Sequence, residues 1–317
     1  MDASIDYFGD DIVKTLSSVV GEDVGDGILL SGGLDTSILA YLLCRYLKPK
    51  AVTVFYGYDA PDLYYARQVA EFLGLEHYVK GFNVDDALEA ARNIVRILET
   101  FDPMEIRNDI PLYLGLRYAK SLNIKSIVTG DGGDELFAGY SFLFDLKPSE
   151  VEEWIRNVSG NWFFASKPLG ESMGLKVIQP FTNSRVIDLA LRIPVDLKIG
   201  VFKGVKYGKW ILRRVFEKYL PSEVVWRVKN PLEVGSGSVK LSEVFRVDDC
   251  EFRDLSRIVK LRDSEHAFYF KIYLEIFKEP PKPRSGELKC PSCGGGVKAG
   301  QRYCRVCGHY PLRWLHG

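Results

Sequence analysis

A chain of 317 residues can bury one sizeable core and carry an appendage, and 46% hydrophobic with 26% charged residues is the make-up of an ordinary globular protein. No apolar run approaches membrane-spanning length, and the acidic start, Met1–Asp11, lacks a basic, apolar signal pattern, so a cytoplasmic protein with no membrane partner is expected. The net charge of zero hides an asymmetry: from Arg284 onward six Lys/Arg face one Asp/Glu, while the rest of the chain carries 36 against 41.

A helix is predicted from Tyr7 to Val20, followed by a turn over Gly21–Gly27. A short apolar run, Gly27–Leu30, then enters Ser31-Gly32-Gly33-Leu34-Asp35-Thr36-Ser37, and an apolar-periodic helix leaves it from Leu34 to about Leu47. Strand, glycine turn and helix start together aim backbone N–H groups at an anion. The two glycines let the backbone approach without a Cβ in the way, and three hydroxyls add donors. A carboxylate beside a phosphate cradle repels the phosphate unless a cation intervenes, so Asp35 points to Mg²⁺. The Gly-Lys-Ser/Thr ending of the common phosphate loop is missing, since no lysine occurs from Gly21 to Arg45.

Ala51–Tyr56 reads as a buried parallel strand, Asp59–Leu73 as a helix capped by Gly74, and His77–Val79 as a further strand. Asn83 is the predicted N-cap of a helix running to about Glu99. A polar stretch, Thr100–Asp109, precedes a helix predicted over Pro111–Ser121 with proline at its first position. Ile124–Thr129 is a strand ending in a second acidic glycine turn, Gly130-Asp131-Gly132-Gly133-Asp134-Glu135-Leu136-Phe137-Ala138-Gly139-Tyr140. Strands alternating with helices predict an α/β fold with a doubly wound, mainly parallel sheet, whose ligands sit at the carboxyl ends of the strands. Both glycine turns fall there, so Asp35 and Asp134 are expected to bracket one Mg²⁺.

The first turn resembles the pyrophosphate loop of the N-type ATP pyrophosphatases. Together with the second it is similar to the synthetase domain of the asparagine synthetase family. The agreement extends to Glu99–Asp102 and Ile106–Tyr113, to Gln179–Phe181 with Val186–Pro194, and to Lys209–Pro221 with Trp226–Lys229. It covers roughly residues 20 to 240 in order. The resemblance implies an adenine nucleotide alpha-hydrolase-like fold with a helical second half. It also implies adenylation of a carboxylate, aspartate in the family, by ATP, followed by displacement of AMP by ammonia. It places Leu30, Val54, Thr129 and Gly130 on the adenosine, and Ser31, Gly32, Gly33, Thr36 and Ser37 on the pyrophosphate, with Asp35 and Asp134 on magnesium. Lys229 would neutralise the transition state, Asp131 would accept a proton from the amine, and Arg107 and Asp109 would orient the substrate. Asp131 stands where many members carry glutamate. Gly235–Ser238 is expected to be a flexible lid. The chain opens Met1-Asp2-Ala3 without a catalytic cysteine, so ammonia is expected to come free or from a separate glutaminase subunit, unless a different amine is used.

The last segment is expected to be its own small domain, residues 284–317, after residues 1–283 and a stiff Pro-rich linker, Glu279–Gly286. Cys290-Pro-Ser-Cys293-Gly and Cys304-Arg-Val-Cys307-Gly are paired knuckles that suit a structural Zn²⁺ ribbon. Such a short segment cannot fold on apolar burial alone. Cys44 and Cys250 read as ordinary thiols. The basic tail keeps open both RNA docking and a fold-stabilising or subunit-docking cap, and a homo-oligomer is expected. Two other readings compete with amide ligation: a tRNA-modifying enzyme that adenylates a base, and a non-catalytic ATP-binding partner of an amidotransferase.

Overall fold

The computed structural model describes residues 3–312. Five strands, β1 (Gly27–Leu29), β2 (Lys50–Phe55), β3 (His77–Gly81), β4 (Ser126–Val128) and β5 (Lys176–Ile178), form one all-parallel sheet in the order β3-β2-β1-β4-β5. The chain builds outward from β1 to β3 on one side, then crosses to β4 beside β1 and continues to β5. The strand order therefore reverses between β1 and β4, with Gly27 opposite Ile127. In open parallel sheets ligands bind at the carboxyl ends of the strands beside such a reversal.

The helices include α1 (Ala3–Glu22), α2 (Leu34–Leu43), α3 (Pro61–Leu73), α4 (Val84–Leu98), α5 (Pro103–Ser121) and α6 (Gly133–Leu136). Local chemistry sets several ends as the sequence predicts. Gly74 closes α3 with φ +60°, and Asn83 caps α4 in a reciprocal box with Asp86. After α7 (Pro148–Asn161), α8 (Ser166–Glu171) and α9 (Ser184–Arg192) come a hairpin, β6 (Gly200–Phe202) and β7 (Val205–Tyr207), and two short helices, α10 (Trp210–Phe216) and α11 (Ser222–Val225).

The chain divides into two compact units, one formed by residues up to Gly81 with Gly115–Pro231, the other by Phe82–Leu114 with residues from Leu232 onward. The first holds the sheet and a core that runs from Ile12 and Leu16 of α1 through Ile28 and Ile38 to Ile211 and Phe216. The second packs α4 against α14 (Ser264–Phe277), which follows α12 (Leu232–Gly235) and α13 (Asp249–Ser256). Phe101 stacks there on His266 and meets Phe270 and Tyr273. The four cysteines sit around a two-stranded ribbon, β8 (Leu288–Lys289) with β9 (Gly296–Val297), in this second unit. Among the described residues no helix is long and apolar enough to cross a membrane.

Two expectations change. The helix predicted from Pro111 begins at Pro103 instead, so Pro111 lies inside α5. A proline there removes the N–H that would bond the Arg107 carbonyl. The Ser238 hydroxyl donates to that carbonyl at 2.9 Å and fills the gap. The same bond accounts for the second change. Gly235–Ser238, expected as a flexible lid, is buried, with Ser236 Oγ on Leu232 O and Ser238 Oγ on Arg107 O.

Candidate active site

The two glycine turns converge in the first unit. Gly32 adopts φ +66° with its Cα against the Tyr65–Ala66 backbone, a place only glycine can take. The second turn lies directly on the first: a Cβ at Gly133 would fall 2.6 Å from the Asp35 carboxylate, and one at Gly130 would fall 3.1 Å from Thr36. Within the first turn Ser31 Oγ accepts from the Gly33 N–H at 3.2 Å and lies 3.2 Å from Thr36 Oγ1. Thr36 and Ser37 donate to Gly33 O at 3.2 and 2.7 Å. Three hydroxyls are thus gathered at the start of α2, where the backbone already presents positive potential.

Asp35 and Asp134 come together, as expected, and a lysine stands between them. Lys209 Nζ lies 2.5 Å from Asp35 Oδ2 and 2.8 Å from Asp134 Oδ1, with its side chain only 5% exposed. Lys229 Nζ reaches the other Asp134 oxygen at 2.7 Å and is 37% exposed. The two carboxyls behave differently. Burial pushes Asp35 up, only partly offset by Lys209 and reinforced by the neighbouring Asp134. Burial opposes ionisation of Asp134 too, but Lys209 and Lys229 outweigh it and hold its carboxyl well below the usual range. Asp35 Oδ1 is buried without a hydrogen-bond partner. A hard cation favours such bare carboxylate oxygens, so the pair fits Mg²⁺.

Lys209 carried no assigned role in the sequence. Its place comes from the backbone: it is a non-glycine residue at φ +56°, and its N–H donates to Phe137 O of the second turn at 2.8 Å. Isolated lysines have no periodicity to betray them, and a strained φ is invisible in a sequence. Two arginines, also unassigned, brace the lysines. Arg213 is buried and donates to Gly208 O at 3.0 Å, to Arg227 O at 3.1 Å and to Val225 O, tying both lysine-bearing segments together. Arg227 donates to Ser31 O at 3.0 Å and to Asp62 at 2.5 Å, and its guanidinium lies 4.2 Å from the Tyr65 ring centroid. It thereby fastens the Lys229 segment to the first turn.

Asp131 stands at the head of the second turn. Thr129 Oγ1 at 2.7 Å, Ser166 Oγ at 2.5 Å and Gln179 Nε2 at 3.0 Å all meet its Oδ2, and Gln179 also bonds Ser166 at 2.9 Å. Ser166 and Gln179 had no role from sequence, although Gln179 lay in a matching segment. Leu30 and Thr129 are buried at the ends of β1 and β4, Gly130 follows, and Val54 is half-buried on β2.

Arg107 and Asp109 belong to the second unit, on α5. Arg107 Nε bonds Glu233 at 2.6 Å and its NH1 bonds Glu265 at 2.5 Å. Burial pushes Glu265 up to about 7, against the pull of Arg107. Asp109 is buried.

The four ribbon cysteines are buried, and their sulfurs lie within 4.8 Å of one another. Cys290–Cys307 and Cys293–Cys304 are each 3.8 Å apart. Tetrahedral Zn–S bonds of about 2.3 Å set sulfurs about 3.8 Å apart, so the donors fit one zinc ion. Backbone N–H groups of Ser292 and Gly295 point at Cys290 and Cys293 sulfur, at 3.4 and 3.3 Å, as thiolates require.

Comparison with known proteins places the chain's sequence in a family. The family described as asparagine synthase matches residues 10–173 and 169–254. An asparagine synthetase [glutamine-hydrolyzing] of Sandersonia aurantiaca is 29% identical over 85% of this chain and 56% of its own length. Asparagine synthetase B [glutamine-hydrolyzing] of Escherichia coli is 33% identical over 70% of this chain and 43% of its own. The chain thus spans about half the length of the curated relatives it matches. Among solved structures, an NMN synthetase from Francisella tularensis covers 86% of this chain and 94% of its own at 13% identity, with a TM-score of 0.38.

Proposed function

Because the chain belongs to the asparagine synthase family, we propose that it is an ATP-dependent, AMP-forming amide ligase that activates a carboxylic acid, aspartate first, and passes the acyl group to ammonia. One observation carries the reading: two acidic glycine turns from the adjacent strands β1 and β4 meet around Asp35, Asp134, Lys209 and Lys229. The acid's carboxylate oxygen attacks the α-phosphorus, the bond to the bridging oxygen breaks, and pyrophosphate leaves. The Gly32–Gly33 backbone and the hydroxyls of Ser31, Thr36 and Ser37 receive the charge that gathers on it. Mg²⁺ held by Asp35 and Asp134 supplies further charge neutralisation when bound.

Lys229, the more exposed of the two lysines, is the mobile cation for the phosphates, and Lys209 keeps the carboxylates in place. Ammonia then attacks the acyl carbon, AMP departs, and the amine loses a proton to Asp131. Three donors on Asp131 Oδ2 hold that carboxylate in one orientation at the head of the second turn, which supports its role as the base. Zn²⁺ on the four cysteines is structural. Two basic ribbon residues already face carboxylates, Arg284 at 2.6 Å from Glu99 and Arg305 at 3.7 Å from Glu105, which leaves less positive charge for RNA.

The test is exchange of labelled pyrophosphate into ATP. Exchange dependent on aspartate, with asparagine formed when ammonia is added, supports the reading. Exchange driven by another acid replaces the substrate, and exchange driven only by tRNA defeats the ligase reading.

A further inference from the structure

The ribbon is not needed for any step above, yet its contacts within the second unit are selective. The second knuckle grips the stretch just before α5. Phe101 N–H donates to Val306 O at 2.7 Å, and Thr100 Oγ1 donates to Arg305 O at 2.8 Å. Tyr303 Oη bonds the fully buried Asp102 carboxylate, which also receives Arg262 at 2.9 Å. Gly308 closes the knuckle at φ +73° with its Cα against that carboxylate, so a Cβ there would collide with it. Arg262 also donates to Gly308 O at 3.3 Å.

The first knuckle grips a different place: Lys260 N–H donates to Ser292 O at 3.0 Å. Asp102 in turn starts α5, with its carbonyl accepting the Ile106 N–H at 3.0 Å and its carboxylate facing the Met104 N–H at 3.4 Å.

We propose that the four-cysteine metal centre is a clasp that fixes the start of α5. By setting two knuckles rigidly against each other it ties residues 100–102 to residues 260–262, and so holds the helix turn that carries Arg107. A ribbon this short cannot hold that geometry by apolar burial alone, so the metal would supply the rigidity. The proposal concerns the second unit only and stands whichever acid the ATP site activates.

Hydrogen exchange on the zinc-loaded protein tests it, read before and after a chelator strips the metal. Exchange of the amides of residues 101–108 should speed up by roughly tenfold or more on stripping, with residues 27–37 unchanged, and zinc alone should restore protection. The paired variant T100V/Y303F removes docking bonds and leaves all four ligands, so it guards against a stripped protein that misfolds. It should keep one zinc per chain and still lose protection at 101–108. Loosening confined to residues 288–310, or spread equally to residues 27–37, overturns the proposal. Full protection at 101–108 in T100V/Y303F overturns it as well.

Discussion

Both units bury a cation between two carboxylates, and the two clusters differ in what they leave open. In the first, Lys209 lies between Asp35 and Asp134, and Lys229 sits on the same Asp134 with more than a third of its side chain exposed. In the second, Arg107 lies between Glu233 and Glu265, and none of the three side chains is more than 19% exposed. The first cluster has a charge that can turn to a ligand. The second is closed by its own partners. Burial of an ion pair therefore says little about function; what distinguishes a site is the cation that remains reachable.

The two lysines give the sharpest way to break this comparison. Lys229→Ala should lower pyrophosphate exchange by roughly 10²–10³-fold, the scale of losing one preorganised charge contact. Because Lys229 is partly exposed, urea unfolding should show a loss of no more than about 1 kcal/mol. Lys209→Ala should do the reverse in kind, costing about 3–5 kcal/mol because two buried carboxylates lose their shared cation. Equal stability losses in the two variants would erase the distinction.

Arg107→Ala should cost about 3 kcal/mol in unfolding for the same reason, since Glu233 and Glu265 would face each other unpaired. If Arg107 also bound the substrate, the KM for the acid would rise in Arg107→Lys, a variant that keeps the charge. Ser238→Ala is smaller, about 1–2 kcal/mol, because it strands the Arg107 carbonyl that Pro111 cannot serve. Adding Pro111→Ala should recover most of that, as the helix regains its own N–H there. A double mutant no more stable than Ser238→Ala would dismiss the pairing.

The mildest effect concerns pH. Glu265 is raised from about 4.5 to about 7, so between these values the folded chain binds more protons than the unfolded one. Stability should then fall as pH rises through that window, and Glu265→Gln should flatten the slope.

Much of this was readable beforehand, and for physical reasons. The first glycine turn, the Asn83 cap and the Gly74 stop are local signals, and the structure places them where local chemistry demands. The convergence of Asp35 with Asp134 followed from the rule that ligands sit at strand carboxyl ends. Three things were not readable. The true start of α5 was hidden because Pro111 looks like a helix opening until Ser238, far along the chain, supplies the missing donor. Lys209, Arg213 and Arg227 lay in segments that resemble the family but were given no role, since their roles come from backbone geometry and distant carbonyls. The attachment of the ribbon to Thr100–Asp102 joins stretches some 200 residues apart, and no periodicity reports it.

The pairing of β1 with β4 has a consequence for how the protein comes into being. The two turns are neighbours in space but some hundred residues apart in sequence, so the paired turns do not meet until a long loop of chain has closed. On the proposed function, nucleotide capture would be a property of the finished sheet, and a nascent chain halted before Ser126 should show no affinity for ATP. A circular permutant opened in the surface loop between α3 and β3 would keep both turns while reordering their synthesis. Its delay in acquiring ATP affinity would time the closing of the sheet itself.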